Sequence, residues 1–196
     1  TYLDSFNAYS LVNDFDKESH VCAIIKHNNP CGCASSNNGL IAYQNALSGD
    51  PISAFGGVVA FNCSIDEGMA TEIVKTFYEV ILTPKVNDEA KKILSSKKNL
   101  RVLEYELVDK NPTFSATFMQ KTFLLQDENF SSLTKKDLKI VTKAKPTEAE
   151  INNLLFANQV CKHVKSNAIV ITKGNKTLGV GAGQTSRVGS AEIACK

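Results

Sequence analysis

Short apolar runs alternating with stretches of helical spacing are the feature that most constrains this fold. Val21-Cys22-Ala23-Ile24-Ile25, Val58-Val59-Ala60-Phe61 and Val80-Ile81-Leu82 are brief and apolar throughout, the pattern of strands buried on both faces. Residues 3–15 place Leu3, Phe6, Ala8, Leu11, Val12 and Phe15 at helical spacing, and 39–47, 66–77 and 88–94 read as further helices. Asp66 and Glu67 put acids in the first turn of the third, and Asn87 is a candidate cap for the fourth. Residues 100–103 resume as strand. Strands separated by helices of about ten residues predict βαβ units, a largely parallel sheet and an α/β fold.

Residues 104–142 are less regular, and Phe123-Leu124-Leu125 with Leu138, Ile140 and Val141 read as extended connections. At Lys145-Pro146-Thr147-Glu148-Ala149-Glu150, proline and acids mark the start of a helix reaching about residue 164. A boundary is therefore expected here, dividing the chain into 1–142 and 143–196. Beyond it come a strand at 166–172, a turn at Lys173-Gly174-Asn175-Lys176, a strand at 177–180 and a glycine-rich loop ending at Arg187. This order is that of a second α/β unit beginning. The first residue is not Met and Cys195-Lys196 falls within a helical pattern, so the chain reads as a piece of a longer protein.

Composition excludes several classes. With 22 basic and 20 acidic side chains the net charge is +2, and no basic stripe interleaved with aromatics marks a nucleic-acid partner. No apolar run approaches the roughly 18 residues of a spanning helix, and the opening residues lack the regions of a signal peptide, so a cytoplasmic protein with no membrane partner is expected. Six cysteines are scattered, several in apolar blocks, which fits reduced thiols rather than a disulfide framework.

Chemistry concentrates first at Lys26-His27-Asn28-Asn29-Pro30-Cys31-Gly32, directly after the first apolar run. Ligands gather at the carboxyl ends of parallel strands, and Pro30 and Gly32 supply a rigid bend. His27 is the candidate base, since a base must sit within about 3 Å of its proton; a solvated Lys26 and a plain loop histidine are the alternative. His27 followed by Cys31 and Cys33 invites a zinc reading, but the spacing is C-x-C and no glutamate follows the histidine by two, unlike the zinc deaminases. No metal is expected.

Gly179-Val180-Gly181-Ala182-Gly183-Gln184 misses the last glycine of a dinucleotide fingerprint. Arg187 just beyond is the better anchor for phosphate or carboxylate, its guanidinium being a planar fork, unless it is simply a solvated first-turn residue. In Ser53-Ala54-Phe55-Gly56-Gly57, paired glycines admit a flat ligand against backbone, with Phe55 as a stacking face, or form a tight turn and nothing more. Asn167 is either a cap or a neutral donor for an oxyanion.

Together these segments, with Val164-Lys165-Ser166-Asn167-Ala168-Ile169-Val170 and Gln184-Thr185-Ser186-Arg187-Val188, resemble the AICAR transformylase part of the bifunctional purine biosynthesis enzymes. The resemblance is loosest at 104–126. It implies a fold of two three-layer, cytidine-deaminase-like α/β units without zinc, the second only begun here. It implies formyl transfer from the co-substrate 10-formyltetrahydrofolate to the 5-amino group of AICAR, with Lys26, His27 and Asn167 catalytic. Phe55, Gly56, Glu79, Asn167 and Arg187, with His27, are implied to contact AICAR, and Val188 to lie beside the folate. Family members are homodimers with shared sites and carry an IMP cyclohydrolase domain upstream, so the site within this chain is expected to be incomplete. A non-catalytic nucleotide-binding module and a zinc nucleoside deaminase are the rival readings.

Overall fold

A computed structural model describes residues 1–106, 114–129 and 131–196. Helix α1 (Tyr2–Asn13) leads into the hairpin β1 (His20–Lys26) and β2 (Asn29–Ser36). Next come α2 (Gly39–Leu47), the one-turn α3 (Pro51–Ala54), β3 (Gly57–Phe61), α4 (Glu67–Ile73), β4 (Tyr78–Thr83), α5 (Asp88–Leu94) and β5 (Arg101–Glu104). The strands form one sheet in the order β2-β1-β3-β4-β5. Period-two side-chain alternation divides its core: Cys22, Ile24, Val59 and Phe61 meet α2, α4 and α5, whereas Val21, Ala23, Ile25, Val58 and Ala60 meet α1. Helices thus cover both faces.

The sheet is mixed rather than largely parallel. β1 pairs antiparallel with both β2 and β3, and only β3-β4 and β4-β5 are parallel. The cause lies in the Lys26 segment, which is not a wide loop. His27 and Asn28 take φ of 52° and 64°, a two-residue hairpin turn of the left-handed kind that matches strand twist, and β2 starts at once with Asn29. Pro30 is tolerated there because β2 is the edge strand and Cys31 is the extra residue of a bulge between Ile24 and Ile25.

The predicted helix over 66–77 is shorter. Its N-terminus is as expected, with Asp66 Oδ1 accepting from Met69 N–H, but tight bonds from Lys75 and Thr76 N–H to Glu72 and Ile73 carbonyls close it. Tyr78 is then taken by β4.

Within the irregular stretch, β6 (Phe114–Met119) and β7 (Thr122–Asp127) form an antiparallel hairpin, where only connections were expected. Residues 107–113 and 130 of that stretch lie outside the described residues. Leu138, Ile140 and Val141 belong to no helix or strand.

Helix α6 (Glu148–Cys161) begins as predicted, its Thr147 and Glu150 capping each other. Its Phe156 and Val160, with Val164 just beyond, enter the cluster that holds Val21 and Val58. The hairpin β8 (Ile169–Thr172) and β9 (Thr177–Gly181) follows, then α7 (Arg187–Ala194) capped by Ser186. Thr177 Oγ1 accepts from Cys33 N–H at 2.9 Å, docking β9 along β2. Close backbone packing fixes α7 on β9: a Cβ on Gly181 would lie 1.8 Å from the Ser190 carbonyl oxygen.

Candidate active site

The Lys26-His27 turn projects from the carboxyl end of β1. Because β1 runs against β3, with Ile25 opposite Val58, this is the amino edge of parallel β3, β4 and β5. The rule that ligands collect at the carboxyl ends of parallel strands therefore does not locate this site. The structure does bring the candidates Lys26, Gly56 and Glu79 together at one sheet edge.

The Lys26 ammonium donates to the Phe55 carbonyl at 2.6 Å. Asp50 positions that carbonyl, since its Oδ1 caps α3 by accepting from Ser53 N–H at 2.9 Å. Gly56 turns at φ 73°, a conformation that favours glycine, and its N–H donates to the Phe77 carbonyl at 2.8 Å. The Phe55 and Phe77 rings stand 5.4 Å apart, with Phe55 exposed as a stacking face requires. Glu79 is the unpaired residue where the β3–β4 register shifts, since Gly57 pairs with Tyr78 and Val58 with Val80. Such bulges re-aim a side chain, and Glu79 Oε2 accepts from Thr1 Oγ1 at 3.0 Å.

His27 is exposed and stands over a cleft of about 680 Å³, whose walls include Lys26, Asp50, Ser53, Val180 and Ala182. Asn28 N–H donates to Asp4 Oδ1 at 2.7 Å, and Asn7 Nδ2 donates to Asn28 Oδ1 at 3.1 Å. Asn29 Oδ1 accepts from Lys165 N–H at 3.2 Å while its Nδ2 donates to the His27 carbonyl at 3.3 Å. Sequence reasoning missed Asp4, Asn7 and Asp50. Asp50 carried a signal, an aspartate before proline at a helix start; Asp4 and Asn7 carried none.

Asn167 is tied to α7, the helix that Arg187 and Val188 open. Asn167 Nδ2 and N–H both donate to the Gln184 carbonyl, at 3.0 and 3.1 Å, and its own carbonyl accepts from Ser190 Oγ at 2.8 Å. Arg187 and Val188 open α7 and are exposed. None of the three is bonded to Lys26 or His27.

All six cysteines are free. Burial, with Asp50 adding to it, pushes the Cys31 thiol up to about 12, and burial raises Cys33 further still. The Cys31 thiol, which lines the same cleft as His27, is not disposed to ionise. Among the described residues, no three His, Cys, Asp or Glu side chains gather as a metal-holding group, and no helix is long and apolar enough to cross a membrane.

The family model of the AICARFT/IMPCHase bienzyme matches residues 1–196. The chain belongs to the AICARFT/IMPCHase family. It is similar to the bifunctional purine biosynthesis protein PurH of Brucella ovis, with 48% identity over 196 residues, covering 98% of this chain and 36% of that protein. The PurH protein of Caldicellulosiruptor saccharolyticus is 44% identical over 192 residues, covering 98% of this chain and 37% of the relative. The chain thus spans a little over a third of the length of these relatives, which are bifunctional purine biosynthesis proteins.

Proposed function

We propose that this chain supplies part of an AICAR transformylase site, moving a formyl group from 10-formyltetrahydrofolate to the 5-amino group of AICAR and giving FAICAR. The observation that carries this reading is the Lys26-His27 turn beside the Phe55-Gly56 backbone: an ammonium 2.6 Å from the Phe55 carbonyl, next to an exposed imidazole over a cleft. The acceptor amine is a poor nucleophile because its lone pair is drawn into the imidazole ring and carboxamide. A base must remove its proton during attack, and His27 is that base.

As the amine nitrogen bonds to the formyl carbon, the formyl oxygen becomes negative, and Lys26 and Asn167 are assigned to stabilise it. The carbon–N10 bond of the folate then breaks, N10 leaving with a proton given by the His27 imidazolium formed in the attack or by Lys26. Phe55, Gly56, Glu79 and Arg187 bind AICAR and Val188 lies beside the folate. No step calls for a metal.

On the family resemblance the full-length enzyme is a homodimer in which two chains complete each site. On this reading 1–142 is a cytidine-deaminase-like unit without zinc, 143–196 starts a second, the full-length protein also carries IMP cyclohydrolase, and the enzyme works in the cytoplasm. His27→Ala in the full-length enzyme is expected to lower kcat for formyl transfer at least about 10²-fold. Retention within about threefold overturns the assignment.

A further inference from the structure

We infer that Asp4 and Asn29 are positioning residues for His27, fixing the turn that presents its imidazole; this rests on the assignment of His27 as base. Two consecutive non-glycine residues at φ 52° and 64° occupy a region that side chains with a Cβ avoid. A turn of this kind keeps its geometry only where its surroundings impose it.

Two elements impose it here. From one side, Asp4 receives the Asn28 N–H at 2.7 Å, and a carboxylate acceptor makes this the stronger class of hydrogen bond. Asp4 rides on α1, whose Ala8, Leu11 and Val12 are fully buried, so the carboxylate is anchored to the core. Asn7, one turn further along, holds the Asn28 side chain at 3.1 Å. From the other side, Asn29 ties the His27 carbonyl to Lys165 N–H, just beyond α6. Neither Asp4 nor Asn29 bonds to the imidazole, so each acts through the backbone that carries it. Misplacing a reacting group by about 1 Å can cost on the order of 10²-fold in rate, which makes such a clamp matter.

The test uses the full-length enzyme and a double-mutant cycle. Asp4→Ala is expected to lower kcat about tenfold while the AICAR KM stays within about twofold. Asp4→Asn keeps an acceptor oxygen and is expected to hold kcat within about threefold of the parent. In a His27→Ala background Asp4→Ala should cost nothing more, because its effect passes through His27. An unchanged kcat in Asp4→Ala, or the same loss with and without His27, overturns the inference. A His27→Ala enzyme of parental rate overturns the base assignment instead, so the two failures are told apart. If Asp4→Ala does not fold, Asn29→Ala taken through the same cycle decides.

Discussion

Lys26 donates from its ammonium to the backbone carbonyl of Phe55 at 2.6 Å, across 29 residues of sequence. The bond joins the end of β1 to the segment entering β3. It places the ammonium beside the residue that precedes Gly56, whose backbone turns at φ 73°.

Lys26→Met removes both that charge and the tie. In the full-length enzyme kcat for formyl transfer should fall about 10²- to 10³-fold, the usual effect of losing one preorganised donor. Lys26→Arg keeps the charge but replaces a compact ammonium by a planar fork, so partial activity is expected. Steady-state kinetics on both variants checks this, and a parental rate in Lys26→Met would remove Lys26 from the site.

Two glycines separate crowding from backbone strain. At Gly181 a Cβ would meet the Ser190 carbonyl oxygen at 1.8 Å, so Gly181→Ala must push α7 off β9. At Gly174, φ is 60° and nothing lies within 4 Å. Gly181→Ala should therefore destabilise by about 3 kcal/mol and Gly174→Ala by only about 1 kcal/mol. Urea unfolding of the two variants ranks them.

The contrast between the β1–β2 hairpin and the elements around it shows what the sequence made legible. The apolar runs from Val21, Val58 and Val80 declare strands because both faces are buried. Strand direction is another matter: it is set by the length of the connection, and Asn28-Asn29-Pro30 looks like a loop unless Pro30 is known to lie on an edge strand. Lys26, His27 and Gly56 stood out as candidates since unusual residues follow an apolar run or sit in a turn. Asp4 was not, because an aspartate in a helix's first turn already has a reason to be there. Its contact with Asn28 exists only once α1 packs over the sheet.

At the far end of α1, Asp14 Oδ2 lies 2.8 Å from Lys162 Nζ and 2.7 Å from His163 Nε2, with all three side chains largely buried. Asp14→Ala leaves buried cationic and polar groups without this carboxylate, and loss of one member of a buried pair typically costs about 3 kcal/mol or more. Thermal unfolding should register a clear drop in midpoint. Little change would mean that the α1–α6 contact does not depend on this carboxylate.

Stability should also fall in alkali, and the buried thiols set the window. Burial, aided by Asp50 and Asp66 respectively, pushes Cys31 up to about 12 and Cys63 to about 11, from an ordinary 9.0. Above about pH 9 the unfolded chain releases these protons while the folded chain retains them, so stability declines as pH rises. The contribution is complete below about pH 9 and is lost as pH rises through the folded values. Burial raises the Tyr78 and Tyr105 hydroxyls as well, but their unfolded forms titrate nearer pH 10. Urea midpoints measured from about pH 8 to about pH 10 should therefore stay level and then bend downward, with the bend reduced in Cys31→Ala and Cys63→Ala. An unchanged bend in both variants would assign the alkaline loss to other groups.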